Sequence, residues 1–209
     1  MNEVVKDYLW TYNLETIDNN KLYITCCNVE EFLKKRYPEP RNNTYGCFTS
    51  YHHRKYNLFL FACPELHKLY REICNKALNL LDKNKIYYIR CWPNLFKAGY
   101  NINWHGHWGA ESKTFHGFYC VNTEGGYTSY TDYRIPGHSE EIRVPSKDGL
   151  LVIGKSENDK HRSSVWDNKD KFRVTVAFDI IPHESLKPLD NFHDDYYHTN
   201  YVPFFKELI

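Results

Sequence analysis

The sequence predicts a mainly β protein, in which an antiparallel sandwich or barrel follows a helix-bearing N-terminal third. Two observations lead to this class. Short apolar runs separated by turns recur between about residues 86 and 181, as in antiparallel strands. Before them, apolar residues recur at three- and four-residue spacing after Pro64, which indicates a helix with one buried face.

The N-terminal elements come from local signals. The run Lys21-Leu22-Tyr23-Ile24 predicts a strand. Asn28 before Val29–Leu33 predicts a short helix with Asn28 as its N-cap, ending before Pro38. The clearest helix starts at Pro64, a residue that suits the first helical position. Its apolar stripe is Leu66, Leu69, Tyr70, Ile73, Ala77 and Leu80.

The β region is predicted from apolar runs and turn residues. A turn at Ser146–Gly149 separates two of the runs. The expected strands are Ile86–Trp92, Gly117–Val121, Tyr127–Thr131, Ile142–Val144, Leu150–Ile153 and Phe172–Ile181.

Length and charge limit the class of protein further. A chain of 209 residues suits one domain, 1–209, with an N-terminal support over 1–85, a β core over 86–181 and a C-terminal wrapping segment over 182–209. The net charge of +1 does not favour a nucleic-acid partner. The chain has no long apolar run and no secretory leader at its N-terminus, so we expect no membrane association and a cytoplasmic location.

The seven cysteines do not suggest a disulfide framework. Their number is odd and no Cys-x-x-Cys pair occurs. We therefore expect reduced thiols.

The densest chemical signal is Trp104-His105-Gly106-His107-Trp108. Side chains at positions i and i+2 of a strand share a face, so His105 and His107 can bind one metal ion together. His161, after several further strands, is a candidate third ligand. The alternative is that these histidines are ordinary polar side chains of the core or surface.

A second signal is Arg173, which opens the last apolar strand, with Thr175 two residues later. A buried arginine is costly unless it is paired. A ligand carboxylate would satisfy it, with the Thr175 hydroxyl beside it. The alternatives are an exposed edge-strand arginine or a pair with Asp179 or another protein carboxylate.

Residues 86–181 resemble the iron(II)- and 2-oxoglutarate-dependent dioxygenases, of a prolyl-hydroxylase-like type and closest to small oxygenases of phage and marine bacteria. The resemblance rests on Trp104-His105-x-His107, on His116–Val121, on the Gly-Leu-Leu-Val run at 149–152, and on His161 followed by Arg173-Val174-Thr175.

This resemblance implies a double-stranded β-helix, a jelly-roll barrel, and a hydroxylase with iron(II) and 2-oxoglutarate. Iron would be bound by His105, His107 and His161. The far carboxylate of 2-oxoglutarate would pair with Arg173, assisted by Thr175 and by a tyrosine, Tyr119 or Tyr130. The substrate would be a small molecule or a peptide, in the cytoplasm of a bacterium or of a phage-infected cell. The sequence specifies no oligomeric state.

The sequence departs from this family at His107, where the usual motif has a carboxylate. His107, Glu111 and Asp159 are each candidates for that ligand position. Loss of the carboxylate would make the site more positive and could change the reaction, for example toward halide binding.

Two other functions compete with the oxygenase. Gly99, His105-x-His107, Glu111 and Gly117 also resemble the first cupin motif, which would give a metal-binding enzyme or sensor without 2-oxoglutarate. A non-catalytic β-sandwich module is the other alternative. Four tryptophans are candidates for the substrate entrance: Trp92, Trp104, Trp108 and Trp166.

Overall fold

A computed structural model describes residues 2–36, 47–50, 56–108, 112–132, 141–157, 159–186 and 202–203. The secondary structure begins with two helices among short strands and continues as a β domain. The helices are α1 (Asn19–Arg36) and α2 (Pro64–Ala77). The strands are β1 (Asn2–Lys6), β2 (Leu9–Asn13), β3 (Cys47–Thr49), β4 (Tyr87–Phe96), β5 (Phe115–Asn122), β6 (Tyr127–Asp132), β7 (Glu141–Pro145), β8 (Leu150–Lys155), β9 (Asp159–Ser163), β10 (Arg173–Pro182) and β11 (Val202–Pro203).

Two antiparallel sheets make up the β domain. The larger sheet has the order β1-β2-β8-β5-β10-β4-β11, and β3 also pairs with β4. The smaller sheet has the order β7-β6-β9. Its β9 edge is extended by a single antiparallel bridge between His105 and His161.

The chain alternates between the two sheets. It passes from β4 in the large sheet to His105 beside the small sheet, returns through β5, crosses to β6 and β7, and continues through β8, β9 and β10. This alternation closes a jelly-roll barrel. The predicted double-stranded β-helix is therefore present.

Side-chain alternation along the large sheet creates two cores. In β10, Val174, Val176, Phe178 and Ile180 pack toward α1 and α2. The intervening positions face the small sheet, where Ala177 packs with Phe118, Tyr130 and Val152. Arg173, Thr175 and Asp179 lie two or four residues from Ala177 along the strand. Their polar side chains therefore face the barrel interior, as Ala177 does.

The N-terminal region corrects two predictions. Lys21–Ile24 is not a strand, and Asn28 is not an N-cap, because both lie inside α1. The buried side chains Leu22, Cys26, Val29 and Leu33 form a continuous helical stripe that starts within the run predicted as a strand. The helix is capped instead by Asp18, whose Oδ1 accepts a hydrogen bond from the backbone N–H of Lys21 at 3.1 Å.

The prediction for α2 is confirmed. Pro64 occupies its first turn, and Leu66, Leu69, Ile73 and Ala77 are buried. Both helices cover the outer face of the large sheet, as their shared core with β4, β5 and β10 shows. No described helix is long and apolar enough to cross a membrane. All seven cysteines are free thiols, as expected.

Strands β9 and β11 were not among the predicted strands. The polar sequence of β9 gave no apolar signal, yet it forms the edge of the small sheet that holds His161. Of the segment predicted to wrap the barrel, residues 182–186 and 202–203 are described, and the latter add β11 to the edge of β4.

We expect Gly117→Ala to lower the free energy of unfolding by about 3 kcal/mol, the upper end of the cost of overpacking. A Cβ atom at Gly117 would lie 2.3 Å from the carbonyl oxygen of Val152 and 2.4 Å from Cζ of Phe178. Urea unfolding would measure this loss.

The matched control is Gly125→Ala, where a Cβ atom meets nothing within 4 Å and only the positive φ of 85° opposes the substitution. We expect it to cost about 1 kcal/mol. Equal losses for the two variants would show that the contact with β8 and β10 does not restrict Gly117.

Candidate metal centre

The barrel brings together the three histidines that the sequence singled out. The backbone N–H of His105 donates to the carbonyl of His161 at 3.0 Å, and the reverse bond is 2.9 Å. The ring centroids of His105 and His161 are 4.3 Å apart, and that of His107 lies 5.4 Å and 5.1 Å from them. One ring nitrogen from each lies within 4.8 Å of the other two, so the three imidazoles can bind one metal ion.

His107 is held from behind by an aspartate. Its Nδ1 donates to Oδ1 of Asp179 at 2.6 Å, and the Trp108 indole N–H donates to Oδ2 at 3.1 Å. Sequence reasoning considered Asp179 only as a partner for Arg173. The two residues lie six positions apart on β10, and the structure pairs Asp179 with His107 instead.

A second group of possible metal ligands adjoins the first. His116, Asp159 and His161 also offer atoms within 4.8 Å of one another. His116 Nε2 donates to Oδ2 of Asp159 at 2.8 Å, while Nδ1 of His161 is 3.7 Å from that oxygen. His116 was not among the predicted ligands. Its position on the interior face of β5 could have been inferred from the alternation of that strand.

Of the two acidic candidates for the carboxylate ligand position, the structure describes one. Asp159 adjoins the three histidines, on the same face of β9 as His161. Glu111, the other acidic candidate, lies outside the described residues.

Arg173 is a buried cation without a described carboxylate partner. Its side chain is 1% exposed. Its Nη1 donates to the carbonyl of Ser164 at 3.1 Å, its Nη2 donates to Oγ of Ser146 at 3.0 Å, and its Nε has no hydrogen-bond partner among the described residues. The prediction that Arg173 is buried is confirmed, and the proposed edge position and pairing with Asp179 are not found. An uncompensated guanidinium favours an anionic ligand.

Two of the other predicted cosubstrate contacts lie in the same interior. Thr175 is on the Arg173 face of β10, and its hydroxyl is 3.5 Å from Nδ2 of Asn94. Tyr130 is fully buried, with its ring centroid 5.4 Å from that of His161 and no described partner for its hydroxyl.

Tyr119 is not brought to the site. It lies on the opposite face of β5, in the core shared with the helices, and its hydroxyl donates to Oδ1 of Asn19 at 2.7 Å. The physical reason is the two-residue period of a strand, which turns Tyr119 outward when His116, Phe118 and Cys120 face inward.

The tryptophans divide into two groups. Trp92 stacks on His107 with ring centroids 5.8 Å apart, and Trp108 binds Asp179, so both adjoin the histidines.

Trp104 is exposed, with the Arg162 guanidinium 4.7 Å above its ring. Trp166 is buried and donates to the carbonyl of Lys171, which is a packing role.

Burial sets the charge state of this cluster. It lowers the pKa of His105 to about 4 and lowers that of His161 well below its ordinary value. Burial opposes the charged form of His107 too, but the Asp179 carboxylate outweighs it and raises the pKa of His107. Burial likewise opposes ionisation of Asp159, yet its histidine neighbours bring its pKa below the usual range. Neutral His105 and His161 are ready to act as ligands.

Solved structures with similar folds were found at low sequence identity. A prolyl hydroxylase from Trichoplax adhaerens, in complex with a hypoxia inducible factor peptide fragment, is 11% identical with a TM-score of 0.57 over 86% of each chain. A Pseudomonas putida prolyl-4-hydroxylase is 10% identical, with a TM-score of 0.56 over 84% of this chain and 93% of the other. The non-heme α-ketoglutarate-dependent epimerase SnoN is 9% identical, with a TM-score of 0.57 over 96% and 92%.

No family model matches the sequence, and no curated protein matches it either. The comparisons therefore concern the fold. The chain has the double-stranded β-helix of the prolyl hydroxylases and other 2-oxoglutarate- and iron(II)-dependent oxygenases.

The residues present fit a divalent metal with an organic anion beside it. Three convergent imidazoles suit iron(II). The unpartnered Nε of Arg173 and hydroxyl of Tyr130 are buried donors that a ligand with several oxygen acceptors would satisfy.

We expect the metal-free protein to lose stability as the pH falls from 6.5 to 4.5. His105 and His161 have folded-state pKa values below the unfolded value of 6.5, so in this range only the unfolded chain gains their protons. The raised pKa of His107 acts in the opposite direction between pH 6.5 and about 5.5, where the unfolded chain is still gaining this proton, so the loss is steepest below about pH 5.5.

Urea unfolding at half-unit pH steps would show this loss, at most about 1.4 kcal/mol per pH unit for each of the two histidines. The variant His105→Asn should have a shallower slope. A free energy of unfolding that is constant over this range would contradict the burial of neutral histidines.

Proposed function

We propose that this protein is an iron(II)- and 2-oxoglutarate-dependent oxygenase. The observation that carries the proposal is the pairing, inside one barrel, of three convergent imidazoles with a buried arginine that has no described carboxylate partner. Shared fold with 2-oxoglutarate-dependent enzymes supports it. Hydroxylation of a C–H bond is the default reaction.

Iron would be bound by His105, His107 and His161. These side chains come from two neighbouring segments of the small sheet, and the backbone bridge between His105 and His161 fixes their spacing. Three protein ligands on one side of an ion leave positions for a chelating cosubstrate and for oxygen.

The far carboxylate of 2-oxoglutarate would bind Arg173. The two Nη atoms of the guanidinium are held by Ser164 and Ser146, which orients the side chain before a ligand arrives. Thr175 and Tyr130 would donate their hydroxyls to the same anion. Its negative charge would compensate a cation that the described protein groups leave uncompensated.

Iron(II), 2-oxoglutarate and oxygen together supply the oxidising chemistry. The chain contributes position and shelter. The apolar interior, with Phe118, Val144 and Val152, excludes water from the reacting centre. Trp92 and Trp108 would border the substrate beside His107.

The substrate is proposed to be a small molecule or a peptide, and the site of action the cytoplasm of a bacterium or phage-infected cell. One similar structure has a peptide bound. The cupin alternative shares the metal ligands but gives Arg173 no role, so the cosubstrate experiment distinguishes the two functions.

We expect 2-oxoglutarate to bind the manganese(II)-loaded protein, and Arg173→Lys to weaken that binding roughly 10- to 100-fold. Lysine keeps the charge but loses the planar pair of donors. Anaerobic calorimetric titration would measure both affinities, and manganese avoids oxidation during the titration. Metal binding without any 2-oxoglutarate binding in the wild type would favour the cupin function.

Tyr130→Phe and Tyr119→Phe should have opposite effects. Removing the Tyr130 hydroxyl deletes a buried group without a described partner, so we expect unchanged or higher stability but weaker 2-oxoglutarate binding. Removing the Tyr119 hydroxyl deletes its bond to Asn19, so we expect a loss of about 1 kcal/mol with unchanged affinity.

Thermal unfolding and the same titration would report both properties. Equal 2-oxoglutarate affinities for the wild type and Tyr130→Phe would remove Tyr130 from the proposed binding site.

A further inference from the structure

Two of the three candidate ligands share an orientation, and the third has a carboxylate behind its ring. Nδ1 of His105 lies 2.8 Å from the carbonyl oxygen of Asn103, and Nδ1 of His107 lies 2.6 Å from Asp179. Nδ1 of His161 lies 3.7 Å from Asp159 and has no hydrogen-bond partner among the described residues. A metal-binding histidine uses one ring nitrogen for the ion and turns the other to such an acceptor. This arrangement leaves Nε2 of His105 and His107 for the metal, and Asp159 lies close enough to His161 to orient that ring.

Two of these acceptors are buried carboxylates. The side chains of Asp179 and Asp159 are 3% and 2% exposed. Each lies behind a different histidine, and neither is paired with a lysine or arginine among the salt bridges of the described residues. Arg90, opposite Asp179 on β4, is a buried cation whose charge adds to the lowering of the pKa of Asp179. A buried carboxylate behind an imidazole is stabilised when positive charge is added in front of that ring.

We infer that Asp179 and Asp159 are positioning residues that supply, one layer behind the ligands, the negative charge that the His-x-His motif lacks. A set of two histidines and one carboxylate removes one positive charge from iron(II), whereas three neutral imidazoles remove none. Asp179 and Asp159 restore this compensation without touching the ion. The inference rests on the proposed function for the identity of the metal site.

Ring geometry argues against the competing set, His116, Asp159 and His161. The rings of His116 and His161 are stacked, 4.7 Å between centroids and 5° from parallel. A nitrogen lone pair lies in its ring plane, and nearly parallel planes do not converge on one ion. The rings of His105, His107 and His161 are inclined to one another by 34° to 61°, which allows convergence.

The hydrogen bond of Asp159 supports the same assignment. Its Oδ2 already accepts from Nε2 of His116, so the nitrogen and the oxygen of that pair are both engaged. The same Oδ2 lies 3.7 Å from Nδ1 of His161, so Asp159 is placed behind that ring, while its Oδ1 has no hydrogen-bond partner among the described residues. His116 then serves to hold Asp159.

The test is titration of metal-free protein with cobalt(II), whose visible absorption reports binding without cosubstrate or turnover. We expect Asp179→Asn and Asp159→Asn each to weaken cobalt binding about 10- to 100-fold at unchanged 1:1 stoichiometry. Asp148→Asn, which removes the same charge where the carboxylate bonds Thr123, should bind cobalt as the wild type does.

A matched pair of histidine variants separates the two ligand sets. His107→Gln removes a ligand, so we expect it to weaken cobalt binding more than either aspartate variant does. His116→Gln keeps a donor for Asp159, so we expect its affinity within about threefold of the wild type. Thermal unfolding of each metal-free variant verifies that it folds.

Each outcome has a distinct meaning. Wild-type affinity in both aspartate variants, with strong binding in the wild type, would overturn this inference and leave the proposed function intact. Loss of binding in His116→Gln with retention in His107→Gln would also overturn it, in favour of the competing set. Absence of cobalt binding in the wild type would overturn the proposed function itself.

Discussion

Two backbone hydrogen bonds between His105 and His161 hold the site together. They attach the segment after β4 to the edge of β9, and so bring residues 56 positions apart in sequence into contact. His107 follows two residues later and reaches the same interior. Through Asp179, this segment is tied to β10, an inner strand of the large sheet. The candidate metal centre therefore connects the small sheet, through His161, to the large sheet, through Asp179.

The polar side chains inside the barrel lower the stability of the fold, and their positions indicate its function. Four histidines, two aspartates and Arg173 are placed where side chains of a purely structural barrel would be apolar. Burial of such groups is unfavourable unless each is hydrogen-bonded or paired. Several of these groups are paired within the protein, as His116 is with Asp159 and His107 is with Asp179. The unpartnered donors of Arg173 and Tyr130, and the ring nitrogens of the three imidazoles that face one another, are suited to bound ligands.

Some elements were predictable because one local signal dominated. The helix from Pro64 had a complete apolar stripe, and the long runs of β8 and β10 had no competing period. The run from Lys21 to Ile24 was ambiguous, because four residues do not separate a strand from one turn of a helix. Strand β9 was missed because its sequence is polar and its burial comes from the site that it forms. The outward direction of Tyr119 followed from the strand period, but only once the inward residues of β5 were known.

The sequence by itself determined the candidate chemistry: an His-x-His pair, a distal histidine, and an arginine with a threonine two residues later, in an order that resembles the oxygenases. These are properties of residue type and spacing along the chain. Only the tertiary structure decided which groups meet. Strand register and the closure of the two sheets place Asp179 beside His107 and Asp159 beside His161. Long-range contacts depend on how separate segments pack, and no local pattern encodes them. For this reason the positions of Asp179 and Asp159 behind the histidines became evident only in the folded barrel.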